Sequence, residues 1–90
     1  MLARVVEPAG PDKTSWVVDV KENWRSDEPA ELMLPGLKRP ALKDGSRFEN
    51  HRGELSDSLA CGTRAVLHLG PEAEKFLPEL VPGVFIRRQG

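Results

Sequence analysis

The sequence predicts a small, mainly β domain of the α+β class: five or six short strands with one or two short helices. Three observations carry that reading. Arg64 to Arg88 reads as strand, short helix, strand; Trp16, Val18 and Val20 alternate with less apolar neighbours; and eight Gly and eight Pro are spread through the chain as punctuation between apolar clusters. Strands this short and this numerous point to a partly open barrel or a curled sheet, with SH3-like or OB-like barrels as the nearest architecture by element count.

The first strand runs over Leu2 to Glu7, with Leu2, Arg4 and Val6 on one face and Ala3 and Val5 on the other. Pro8 to Asp12 is a turn. Thr14 to Val20 has the clearest period of two, so Trp16, Val18 and Val20 share a face, and the two strands can form a hairpin. Lys21 to Ala30 is polar and reads as a loop, while Glu31 to Leu34 is a short apolar run stopped by Pro35-Gly36.

Leu37 to Leu42 contains Pro40, which has no N–H for a strand ladder, so this segment is expected at a sheet edge. Asp44-Gly45 favours a tight turn, with Ser46 to Glu49 returning as the hairpin partner. Leu55 and Leu59 lie four apart and Gly62 follows at a C-cap position, which predicts a helical turn or two over Leu55 to Cys61. Pro71 suits the first position of a helix, and Ala73, Phe76, Leu77 and Leu80 make one apolar face. Pro78 removes an internal hydrogen bond, so that helix is expected to break or tighten. Val84 and Ile86 share a face of the final strand.

Ninety residues make a single domain with no separable linker, 39% apolar and 30% charged. A net charge of −1 gives no whole-chain attraction to nucleic acid or anionic lipid. No apolar run reaches the roughly 18 residues that span a bilayer, so no membrane role is expected. Cys61 is the only cysteine. It can form no internal disulfide, and the expected location is cytoplasmic.

Chemistry-bearing motifs are scarce. A catalytic assembly would need His51, Cys61 and Asp57 to converge, and a thiol in the apolar run Leu59-Ala60-Cys61 reads as a small buried hydrophobe. Ser56, Asp57 and Ser58 lack a nucleophile-elbow pattern and read as caps. His51, Cys61 and His68 are spaced nine and then six residues apart, unlike the close pairs of zinc sites. No glycine-rich phosphate loop is present. The expectation is no enzyme, no cofactor and no metal.

Two surfaces remain. Leu37 to Gly53 carries Lys38, Arg39, Lys43, Arg47 and Arg52 against Asp44 and Glu49, a local balance of +3. Folded as a hairpin beside Phe48, it would give a nucleic-acid-binding small β-barrel; charged edge strands more often prevent aggregation. Trp24 stands among polar residues and either folds into the core or anchors a partner. The favoured reading is a non-enzymatic interaction module, accessory, regulatory or structural, that meets a protein partner or forms a homodimer through Trp24, Leu37 and Leu42. Nucleic-acid binding is the alternative.

Overall fold

Alternation of buried and outward side chains organises ten strands in a computed structural model, which describes residues 1–34, 41–42, 47–50 and 52–89. The strands are β1 (Ala3–Pro8), β2 (Ser15–Val20), β3 (Trp24–Arg25), β4 (Ala30–Met33), β5 (Ala41–Leu42), β6 (Arg47–Glu49), β7 (Leu55–Ser56), β8 (Ser58–Leu59), β9 (Arg64–His68) and β10 (Phe85–Arg88). Eight of them form one antiparallel sheet in the order β5-β4-β10-β1-β2-β9-β6-β7, and β3 pairs with β8 in a separate ribbon. The five or six strands expected are thus exceeded, because two-residue strands such as β3 and β7 are too short to show a period.

The sheet curls but does not close. Six strand spacings separate β5 from β6, about 29 Å in a flat sheet. Leu42 and Arg47 are only five residues apart, and an extended chain of that length reaches about 17 Å. Only a curled sheet satisfies both. Its end strands β5 and β7 do not pair with each other among the described residues, so there is no closed barrel.

The concave side holds the core. Trp16, Val18 and Val20 of β2 point inward as their spacing predicts, joined by Ala65 and Leu67 of β9, Leu32 of β4 and Ile86 of β10. In β1 it is Ala3 and Val5 that are buried, with Arg4 outward. The β1–β2 register shifts between Val5 and Glu7, a bulge that re-aims the strand end. Gly83 adopts φ +97, which a side chain rarely tolerates, and so turns the chain into β10 beside β1; its N–H donates to the Val5 carbonyl at 2.8 Å.

Two further expectations are corrected, and the expected break in the 71–80 helix is found. Leu55 to Cys61 is not helical: it forms β7 and β8, pairing with β6 and β3. Ala41–Leu42 and Arg47–Glu49 do not form a hairpin: β5 pairs with β4, while β6 lies between β9 and β7. The 71–80 segment is two 3-10 turns, Pro71–Lys75 and Leu77–Glu79, broken at Phe76. Its apolar spacing still buries Ala73 and Leu80 and packs Phe76 and Leu77 against the core. Pro78 in the second turn bars a regular helix.

Candidate interaction surface

Residues directly opposite in an antiparallel sheet share a face. On the convex face the registers join Met33 of β4, Phe85 of β10, Arg4 of β1, Asp19 of β2 and Arg64 of β9 into one row. The row is apolar at one end and charged at the other. Phe85 is 44% exposed and Met33 half-buried beside it. Arg64 Nε donates to Asp19 Oδ1 at 2.9 Å, so the carboxylate opposite Arg4 already has a partner. Arg4 itself makes no ion pair among the described residues.

The neighbouring positions are occupied differently. Arg87 of β10 donates to Glu31 of β4, a carboxylate only 8% exposed. Arg88 bridges Glu28 (2.8 Å) and Glu22 (3.3 Å), tying the last strand to the loops before and after β3. These arginines are spent on the fold. The row from Met33 to Arg4 is not.

A second polar cluster links the β1–β2 loop to β9. Ser15 Oγ lies 2.9 Å from His68 Nδ1 and 3.2 Å from Asp12 Oδ2. Asp12 Oδ1 also accepts from the Thr14 hydroxyl (2.6 Å) and amide (2.9 Å). Those bonds, the hydroxyl foremost, hold the Asp12 carboxyl below the ordinary carboxylate range. Glu49 Oε1 stands 3.8 Å from His68 Nε2, beyond hydrogen-bond reach. Ser15 is 7% exposed, and its hydroxyl serves two neighbours as a structural link.

Beside it, Pro8, Gly10, Pro11, Asp12, Lys13, Trp16, Leu77 and Leu80 line an open cleft of about 390 Å³. The loop wall is fixed by the Trp16 indole N–H, which donates to the Lys13 carbonyl at 3.1 Å, and by the Ala9 N–H, which donates to the Ser15 carbonyl at 2.9 Å.

The residues singled out from the sequence are scattered. Trp24 is 2% exposed and packs against Phe48 with the two rings tilted, so its ring lies in the core and is not presented to a partner. Leu42 sits on edge strand β5, whereas Leu37 lies outside the described residues. Lys38, Arg39 and Lys43 also lie outside them. Arg47 is on β6 opposite His68, and Arg52 is exposed in the following loop. Without the β5–β6 hairpin, nothing described here gathers these cations into one surface. Of the residues weighed for catalysis, His51 is outside the described set. Cys61 is exposed, with its thiol donating to the Lys21 carbonyl at 3.1 Å, and Asp57 is exposed with its backbone carbonyl accepting from Ser26. No group of three or more metal-ligating side chains occurs among the described residues.

The Met33–Phe85–Arg4 row is not visible in the sequence, because Arg4 and Met33 are 29 positions apart, Met33 and Phe85 52, and Arg4 and Phe85 81, and they meet only through register. The available signal was Phe85 itself, out of phase with Val84 and Ile86.

No protein-family model matches the sequence, and no curated protein matches it significantly. Among solved structures, the chain is similar to the C-terminal domain of a proposed U32 peptidase from Geobacillus thermoleovorans. The TM-score is 0.73 at 13% identity, covering 100% of this chain and 92% of that one. The selenomethionine variant of the same domain gives 0.69 at 14% identity, covering 97% and 96%. The likeness is one of fold, over nearly the whole length of both chains.

Proposed function

We propose that this chain is a non-enzymatic interaction module, an accessory, regulatory or structural unit that works through contact with a protein partner or a second copy of itself. The observation that carries the reading is the Met33–Phe85–Arg4 row. Met, aromatic residues and Arg are the types enriched where proteins meet. Here they lie side by side on a rigid sheet, with the aromatic ring 44% exposed and the guanidinium without an ion-pair partner among the described residues. Docking would remove the ring from water and give the guanidinium a carboxylate or carbonyl.

The fold supports this reading as well. The chain matches, end to end, a domain that another protein carries as its C-terminal part. We place the protein in the cytoplasm, where an exposed free thiol such as Cys61 stays reduced. No helix among the described residues is long and apolar enough to cross a membrane.

Light scattering of the purified chain, alone and with proteins recovered from its native extract, tests the proposal. A discrete dimer or stoichiometric complex is expected, and Phe85→Glu should abolish it while leaving the thermal transition in place. A chain that stays monomeric and unaccompanied, or a Phe85→Glu variant that associates as well as the parent, overturns it.

A further inference from the structure

We infer that the Met33–Phe85–Arg4 row docks on a second copy of this chain, convex face to convex face, about a two-fold axis passing through β1 between Arg4 and Glu7. The inference rests on the interaction reading above and names its partner.

The convex face carries a second row, about 7 Å along the strands from the first. Its members are Glu7 of β1, Val17 of β2 and Val66 of β9, which stand opposite one another in register. They share the outward face, because Val17 alternates with buried Trp16 and Val18, and Val66 with buried Ala65 and Leu67. Both valines are half-buried. Glu7 is exposed and, like Arg4, makes no ion pair among the described residues.

The two rows complement each other. From β1 across β10 to β4, the first reads cation, aromatic ring, thioether: Arg4, Phe85, Met33. From β1 across β2 to β9, in the opposite direction, the second reads anion, apolar, apolar: Glu7, Val17, Val66. A two-fold rotation reverses both directions in the plane of the sheet and so lays one row over the other. Arg4 then faces Glu7 of the second copy, Phe85 faces Val17 and Met33 faces Val66, and each contact is made twice. Equal strand spacing in the two copies keeps all three matches in step. An unrelated partner would require no such match between two rows of one face; a second copy does.

Sheets stacked in this way sit about 10 Å apart with strand directions within about 30° of each other. The curl restricts contact to the middle strands, so the interface falls in the weak, transient class that buries less than about 1,200 Å². The net charge of −1 per copy opposes it little.

The test is sedimentation equilibrium of the intact chain from about 10 μM to 1 mM, a range that covers dimers of this class. The parent is compared with Arg4→Glu, with Glu7→Arg, and with an equimolar mixture of the two variants. Both positions are exposed, and thermal melts check that each variant is folded. Either variant alone sets like charges against each other at both pair positions and should weaken self-association about tenfold. The mixture restores opposite charges at both positions and should associate as well as the parent. A parent that stays monomeric throughout overturns the second copy as partner; the row itself survives that result if Phe85→Glu abolishes binding of a different protein. A dimer unaffected by the single variants, or a mixture that associates no better than they do, overturns the two-fold arrangement.

Discussion

Trp24 and Phe48 pack in the core with ring centroids 4.5 Å apart and planes tilted by 57°. Trp24 belongs to the β3–β8 ribbon and Phe48 to the eight-stranded sheet, so this contact joins the two sheets. The Trp24 indole N–H is buried without a hydrogen-bond partner among the described residues. The ring is therefore held by packing alone, against the cost of a desolvated donor.

That contact predicts a specific pattern in urea unfolding. Trp24→Ala and Phe48→Ala should each cost about 3–5 kcal/mol. Trp24→Phe should cost much less than Trp24→Ala, because it keeps an aromatic ring while removing the unpaired donor. A double-mutant cycle should show coupling of about 1 kcal/mol, and coupling indistinguishable from zero would mean that the two sheets are joined elsewhere.

Acid should weaken the fold through Asp12 and Glu28. Thr14 holds the Asp12 carboxyl down. The Arg25 amide and then the Arg88 guanidinium do the same for Glu28. A carboxyl depressed in the folded state stabilises it above the ordinary carboxylate range, and that contribution is lost as pH falls through the depressed value. Stability should accordingly be level above about pH 5 and decline below about pH 4. Thr14→Ala should raise the Asp12 titration midpoint seen by NMR; an unmoved midpoint would show that the Thr14 bonds do not set it.

Removing the Ser15 hydroxyl takes a partner from both Asp12 and His68 at a site that is 7% exposed. Ser15→Ala should cost about 1 kcal/mol in thermal or chemical unfolding. A loss of several kcal/mol would mean that the cluster contributes more than these two bonds.

Two glycines should respond oppositely to alanine. Gly83 has open space around it but φ +97, so Gly83→Ala should cost about 1–2 kcal/mol through backbone strain. Gly70, also in open space, sits at φ −72 and ψ 174, which alanine adopts freely. Gly70→Ala should therefore be neutral or stabilise by about 0.5 kcal/mol. Melting temperatures of the two variants decide the matter.

Legibility of this fold in the sequence follows element length. β2, β9 and β10 span four to six residues, enough for Trp16, Val18, Val20, Ala65, Leu67 and Ile86 to reveal their common side. Strands of two residues have no period, and Leu55 and Leu59, four apart, imitate a helical face while sitting on β7 and β8. Gly62 does have positive φ (+85), but in the turn between β8 and β9 rather than at a helix end. The association face and the cleft were hidden for a different reason. Met33, Arg4 and Phe85 become neighbours through pairing across β4, β10 and β1, and Pro11 meets Leu77 only after the chain has curled. Local pattern holds no trace of either juxtaposition.

The most direct measurement of the association face is site-specific photo-crosslinking, with the reactive side chain placed at position 85 or, for comparison, at position 55. Leu55 is more exposed, at 68%, but stands on a two-residue edge strand away from the Met33–Phe85–Arg4 row. A single adduct of defined mass from position 85 and none from position 55 is the predicted result. The same adducts from both positions, or none from position 85, would contradict it.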